Sequence, residues 1–265
     1  MNRHNSRPVV LCLSGHDPSG GAGLQADIEA LLAQGCHAAP TVTALTVQDS
    51  VNVQDFRVLD REWVLAQAHA VIADLPVAAV KLGMLGSVQM VDTVLEIMQR
   101  LPGIPLVCDP VLRAGGGGSL GKEDVGYAMR ERLLPIAAIA TPNLPEARIL
   151  AELPEGTADE CAAVLLPKIQ HLLITGGHGD ESDVHNRLYS RDGSRHTFTC
   201  PRLPGSYHGS GCTLASTLAG RLALGEEIVS ATRTALDYTW RTLRDAEQPG
   251  RGQFIPRRLP LDFSL

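Results

Sequence analysis

Short apolar runs alternate with helical patterns along almost the whole chain, and no other feature limits the fold so strongly. Residues 9–15, 42–48, 78–85, 104–109, 136–141 and 171–175 read as strands, the first (VVLCLSG) apolar enough to be buried on both faces. Between them lie helices. Residues 24–34 turn Ile28, Leu31 and Leu32 toward a core and stop at Gly35. Residues 63–73 place Val64, Leu65, Ala68, Val71 and Ile72 on one face. Ser87 caps a helix running to Arg100, with Val88, Val91, Leu95 and Met98 at helical spacing. Further helices are expected near 123–132, after Asn143, over 214–223 with Leu214, Leu218 and Leu222 on one face, and over 226–246. Asp192-Gly193, between runs 184–189 and 195–200, marks a hairpin. A chain of 265 residues patterned this way is expected to form one α/β domain, residues 1–265: a mostly parallel central sheet with helices on both faces. The segment from Pro249, rich in proline and arginine, is expected to lie on the surface.

Ligands of such sheets sit beyond the carboxyl ends of the strands, so the residues there are the ones to question. After the first strand comes a glycine-rich loop and then Asp27, which aims at the cleft or simply complements a helix dipole. Gly21-Ala22-Gly23-Leu24-Gln25-Ala26 resembles a dinucleotide fingerprint, but five residues separate it from the strand, which argues against that use. Gln48 ends the second strand and reads as an amide for a nitrogen heterocycle or as a solvated loop residue. Met84 reads as a thioether for a flat ring or as core. Asp109, before Pro110, stands where a carboxylate helps hold Mg²⁺ through water, and Glu146 falls in the first turn of a later helix. In Gly116–Glu123 the pattern G-x-x-x-x-G-K-E has an acid where a P-loop needs a hydroxyl, and the overlapping G-x-S-x-G lacks a preceding strand; both are chance matches.

Gly209-Ser210-Gly211-Cys212 opens an apolar helix with small residues only. Its uncovered N–H groups and the helix dipole form an anion cradle, read as a phosphate site. Cys212 at that terminus reads as a residue that leans toward the thiolate and acts as a base, or as a small buried filler beside an alcohol that loses its proton late, to phosphate.

Net charge is −6 and no basic run exceeds a pair, so nucleic acid is not an expected partner. No apolar run reaches membrane-spanning length. None of the six cysteines stands at C-x-x-C spacing and the first seven residues are polar, which points to a reducing cytoplasm.

Taken together, Gly15-His16-Asp17-Pro18-Ser19-Gly20-Gly21-Ala22-Gly23, Lys81-Leu82-Gly83-Met84-Leu85, Asp109-Pro110-Val111, Thr141-Pro142-Asn143-Leu144-Pro145-Glu146 and His208-Gly209-Ser210-Gly211-Cys212 resemble, in this order, the hydroxymethylpyrimidine/phosphomethylpyrimidine kinases of thiamine biosynthesis, in the ribokinase-like superfamily. The resemblance implies transfer of phosphate from ATP, with Mg²⁺, to 4-amino-5-hydroxymethyl-2-methylpyrimidine and then to its monophosphate, by a homodimer. It assigns Gly15, Asp27, Gln48, Met84 and Val111 to the pyrimidine, Asp109 and Glu146 to magnesium and phosphate, Gly209, Ser210 and Gly211 to the anion hole, and Cys212 to the position of the base. One departure stands out: Thr175 precedes Gly176-Gly177-His178 where family members often carry lysine, with Arg113 as a candidate substitute. Pyridoxal kinase, and a pyrimidine-binding regulator without transfer, are the competing readings.

Overall fold

The computed structural model describes residues 7–112, 123–177 and 182–259. The chain runs β1 (Val9–His16), α1 (Gly23–Ala33), β2 (His37–Gln48), β3 (Val53–Val58), α2 (Arg61–Asp74), β4 (Val77–Leu82), α3 (Val88–Gln99) and β5 (Leu106–Cys108). It continues through α4 (Glu123–Ala128), β6 (Ile139–Ala140), α5 (Leu144–Ala151), α6 (Ala158–Leu165), β7 (His171–Ile174), β8 (Asp183–Ser190) and β9 (Arg195–Pro201) to α7 (Ser210–Ala223) and α8 (Ile228–Arg244). The strands form one sheet in the order β3-β2-β1-β4-β5-β6-β7-β8-β9. From β2 to β7 the pairing is parallel; β3 at one edge, and β8 and β9 at the other, are antiparallel.

β1 shows why its run is continuously apolar. Val9, Leu11 and Leu13 pack toward α2 to α6, whereas Val10 and Cys12 pack toward α1, α7 and α8. A strand with helices on both faces has no polar side to show. The chain passes from β1 outward to β2 and β3, then returns to β4 on β1's other side. That reversal opens a crevice at the carboxyl ends of β1 and β4.

Several expectations are corrected. In α1 the buried residues are Leu24, Ala26, Asp27, Ala30 and Leu31, while Ile28 and Leu32 are each 42% exposed. The helix is turned so that Asp27 faces an internal lysine. Similarly, α3 buries Met90, Val91, Val94 and Ile97, with Val88, Leu95 and Met98 only flanking the core. β2 starts at His37 because it pairs with β1 from Val9 onward, overriding the weak strand propensity of Ala38, Ala39 and Pro40. β3, a polar edge strand, and α6, opened by a Thr157/Glu160 capping box, were not expected. The helix expected over 123–132 is α-helical only to Ala128, and a π-helical turn over Met129–Leu133 follows.

The C-terminal segment does not merely lie on the surface. Phe254 exchanges backbone hydrogen bonds with Ser206 and His208, Gln253 N–H bonds to Ser50, and Arg258 is only 3% exposed. Among the described residues no helix is long and apolar enough to cross a membrane.

Candidate active site

A cavity of about 560 Å³ lies at the carboxyl ends of β1, β2, β4, β5, β6 and β7 and at the amino end of α7. Its anionic end is set by Gly209. This residue has φ 85°, and a Cβ there would overlap the Gly21 carbonyl, so only glycine suits both the turn and the close approach. Thr213 N–H donates to Gly209 O at 3.0 Å, the first hydrogen bond of α7. The N–H groups of Ser210, Gly211 and Cys212 therefore precede any intrahelical acceptor, and all three residues line the cavity.

Asp109 faces this turn from the end of β5. Its carboxylate oxygens lie 3.9 and 4.0 Å from where a Gly211 Cβ would stand, and its buried Oδ2 has no hydrogen-bond partner. Burial pushes the Asp109 pKa up to about 6, against the pull of Lys81 and with help from Asp27. Glu146 caps α5: its Oε2 accepts from Asn143 N–H at 3.0 Å, and Asn143 Oδ1 accepts in return from Glu146 N–H at 2.9 Å. Burial, then repulsion by Asp109, pushes the Glu146 pKa up to about 8, although backbone N–H donors from Asn143 and Leu112 oppose the shift. Two buried carboxylates that repel each other, one with a free oxygen, lack a cation or a proton. Mg²⁺ uses one or two carboxylates together with water and substrate phosphates rather than a full protein cage. The pair fits that role, and among the described residues no cluster of three or more His, Cys, Asp or Glu offers a cage.

Behind the anion cradle lies a fully buried ion pair. Lys81 Nζ meets Asp27 Oδ1 at 2.8 Å, and Ser216 Oγ donates to the same oxygen at 2.6 Å. Burial disfavours the ammonium, but Asp27, Cys212 and Asp109 outweigh it and hold the lysine pKa above its usual value. Asp27 is thus placed behind the cavity rather than on its wall; it does not line the pocket.

Cys212 does line it, next to Asp109 and Gly23. Burial pushes its thiol up to about 11, and the pull of Lys81 and of the Gly23 N–H does not compensate. The helix-terminus argument for a thiolate is therefore reversed by desolvation, helped by the charges of Asp109 and Asp27.

At the other end, Gly15, Gln48, Met84 and Val111 line one wall. Thr43 Oγ1 donates to the Met84 carbonyl at 2.6 Å, and a Cβ on Gly15 would come within 3.4 Å of Met84 Sδ. Gln48 sits at a register shift between β2 and β3, a bulge that re-aims a strand's last side chain. The glycine-rich loop is fixed by Asp17, which accepts from Ser19 N–H and Oγ–H, Ala22 N–H and His208 Nε2. Burial resists its ionisation, but the hydrogen bonds from His208 and Ser19 prevail and lower its pKa to about 2.

Thr175 lines the cavity as well, and Arg202, on the same wall, donates to the Gly177 carbonyl at 2.9 Å. Arg113, His178, the glycine run 115–118, the G-x-S-x-G match and all of the P-loop-like match except Glu123 lie outside the described residues. The local sequence gives Lys81, Asp17 and His208 no role of their own. Lys81 carried a signal, a charge inside an otherwise apolar strand; Asp17 and His208 were visible only as members of their motifs.

A mostly parallel sheet, an open helix start and two buried carboxylates meet at this one cavity. The family model for phosphomethylpyrimidine kinase matches residues 17–256. The chain belongs to this family. It is 41% identical to a hydroxymethylpyrimidine/phosphomethylpyrimidine kinase of Streptomyces coelicolor, with 87% of each chain covered. It is 33% identical to the protein of that name from Haemophilus influenzae, covering 92% of this chain and 93% of the relative. Among solved structures, Clostridium difficile phosphomethylpyrimidine kinase aligns with TM-score 0.76 at 30% identity, covering 88% of this chain and 98% of the other. Staphylococcus aureus pyridoxal kinase in complex with AMP-PCP and pyridoxal aligns with TM-score 0.88 at 25% identity, covering 96% and 94%.

Proposed function

We propose that this chain transfers phosphate from ATP to the hydroxymethyl group of 4-amino-5-hydroxymethyl-2-methylpyrimidine, and then to the resulting monophosphate. The observation that carries the reading is the pairing of the Asp109 carboxylate with the open first turn of α7, at the end of a cavity walled by Gln48 and Met84. The Gln48 amide donates and accepts toward the ring nitrogen and amino group, and Met84 packs on the ring face. Ser210, Gly211 and Cys212 N–H groups face the phosphoryl oxygens, where fixed donors act most strongly as charge builds.

Asp109 and Glu146 would hold Mg²⁺ beside the ATP phosphates, where the ion offsets their negative charge. Because burial keeps Cys212 a thiol, we place its role in orienting the substrate hydroxyl, which gives up its proton late, to the phosphoryl group. Arg202, which lines the same cavity as Thr175 and bonds the Gly177 carbonyl, supports a cationic contact with the phosphates. All six cysteines are free, which supports a reducing, cytoplasmic setting. A homodimer rests on the family resemblance alone, and light scattering on the eluted protein tests it.

The decisive experiment follows ADP release by purified protein with Mg-ATP and either the hydroxymethylpyrimidine or pyridoxal. The reading expects turnover with the pyrimidine. Turnover with pyridoxal alone, or tight pyrimidine binding with no ADP, overturns it.

A further inference from the structure

The segment after α8 runs past the mouth of the site, where Gln253 lines the cavity, and carries a buried arginine. Arg258 has a side chain 0% exposed, yet it does not line the cavity. Its Nε donates to Thr213 Oγ1 at 2.8 Å, its Nη2 donates to the Gly21 carbonyl, and its Nη1 pairs with Glu29 at 3.0 Å. Thr213 Oγ1 in turn donates to Gly209 O at 2.8 Å. Nη2 lies 2.8 Å from where a Gly209 Cβ would stand. The backbone of Arg258 is itself held, because its carbonyl accepts from Tyr238 O–H at 2.6 Å.

One guanidinium therefore touches both halves of the anion cradle. One half is the loop carrying Gly21, which continues to Gly23 at the start of α1 and lines the cavity there. The other is the first turn of α7. Burying a guanidinium is costly unless its donors are satisfied, and packing alone needs only an apolar side chain. A planar fork that bonds a carbonyl, a hydroxyl and a carboxylate on separate elements is a geometric device, one that a point charge such as lysine does not reproduce.

We infer that Arg258 is a positioning residue for phosphoryl transfer: it locks the Gly21 loop against the first turn of α7, so that the Ser210, Gly211 and Cys212 N–H groups keep one arrangement toward the cavity. The inference rests on the proposed kinase reading for its effect on turnover. It has a second consequence that does not: the two segments should loosen together when the fork is lost.

The test uses full-length Arg258→Lys, Thr213→Val and Glu29→Gln proteins. It measures steady-state kinetics with Mg-ATP and the pyrimidine, and amide hydrogen exchange in peptides covering 19–24 and 208–214. Arg258→Lys is expected to lower kcat by about tenfold to a hundredfold, the range a small misplacement near reacting atoms produces, with KM for the pyrimidine little changed and faster exchange confined to those two peptides. Thr213→Val removes the same tie from the α7 side and is expected to act in the same direction, which covers the case in which Arg258→Lys does not fold. Glu29→Gln keeps an acceptor for Nη1 at the outer end of the fork and is expected to act in the same direction as Arg258→Lys but more weakly. Wild-type kcat in the Lys and Val variants, or exchange that rises evenly over the whole chain, overturns the inference. If the wild-type protein transfers no phosphate, the kinase reading fails, and the exchange data alone decide whether Arg258 ties the two segments.

Discussion

Gly211→Ala separates the transfer site from the fold. A Cβ at position 211 meets only the two Asp109 oxygens, at 3.9 and 4.0 Å, which is ordinary contact. Gly211 is not among the glycines with positive φ, so alanine adds no backbone strain. Alanine is a better helix former than glycine by up to about 1 kcal/mol, so the variant should be as stable as the parent or more so, with Tm raised by up to about 4 °C. The methyl group nevertheless fills the gap between Asp109 and the cradle, where the phosphoryl group is placed. Displacing that group from its donors is expected to cost about 10²–10³ in kcat. Gly209→Ala is the contrast: at φ 85° and against the Gly21 carbonyl, it should lose stability and activity together. The assay pairs differential scanning fluorimetry with ADP release at saturating substrates. A Gly211→Ala protein with parental turnover would refute the placement of transfer between Asp109 and α7.

Three further outcomes are expected. Asp17 has a folded pKa of about 2, below the unfolded value of about 3.9. Its stabilising effect should be complete above about pH 4 and lost as pH falls through 2, amounting to about 2 kcal/mol; Asp17→Asn should remove that step from a urea–pH series, and an unchanged acid limb would contradict it. Lys81→Met leaves Asp27 buried without its ion-pair partner and should cost about 3–5 kcal/mol in urea unfolding, with partial recovery in Lys81→Met/Asp27→Asn. Cys212, with a pKa of about 11, should alkylate slowly at neutral pH, its rate rising with pH toward that value, as followed by peptide mass spectrometry; fast labelling at pH 7 would restore the thiolate reading.

The parts that the sequence made legible were governed by local rules. Strand–helix alternation gave the layers; the position of ligands at strand ends pointed to Gln48, Met84 and Asp109, and a helix start of small residues pointed to the first turn of α7, all of which line the cavity. The Asn143/Glu146 capping box follows from residues three apart. What stayed hidden depends on tertiary approach. Asp27 pairs with a lysine 54 positions away, which turns α1 and takes that carboxylate off the cavity wall. Arg258 reaches Glu29 across 229 positions, and no local pattern announces it. For Cys212 the helix terminus is a local cue, but burial depends on the assembled fold and sets the direction of its pKa shift.

The most direct measurement is identification of the product. Purified protein, ATP labelled at the γ-phosphate and 4-amino-5-hydroxymethyl-2-methylpyrimidine, followed by ³¹P NMR and mass spectrometry, should yield label as a phosphate ester on the pyrimidine hydroxymethyl group, and far less of it with Gly211→Ala. Label found only as inorganic phosphate, or on pyridoxal but never on the pyrimidine, would contradict the account.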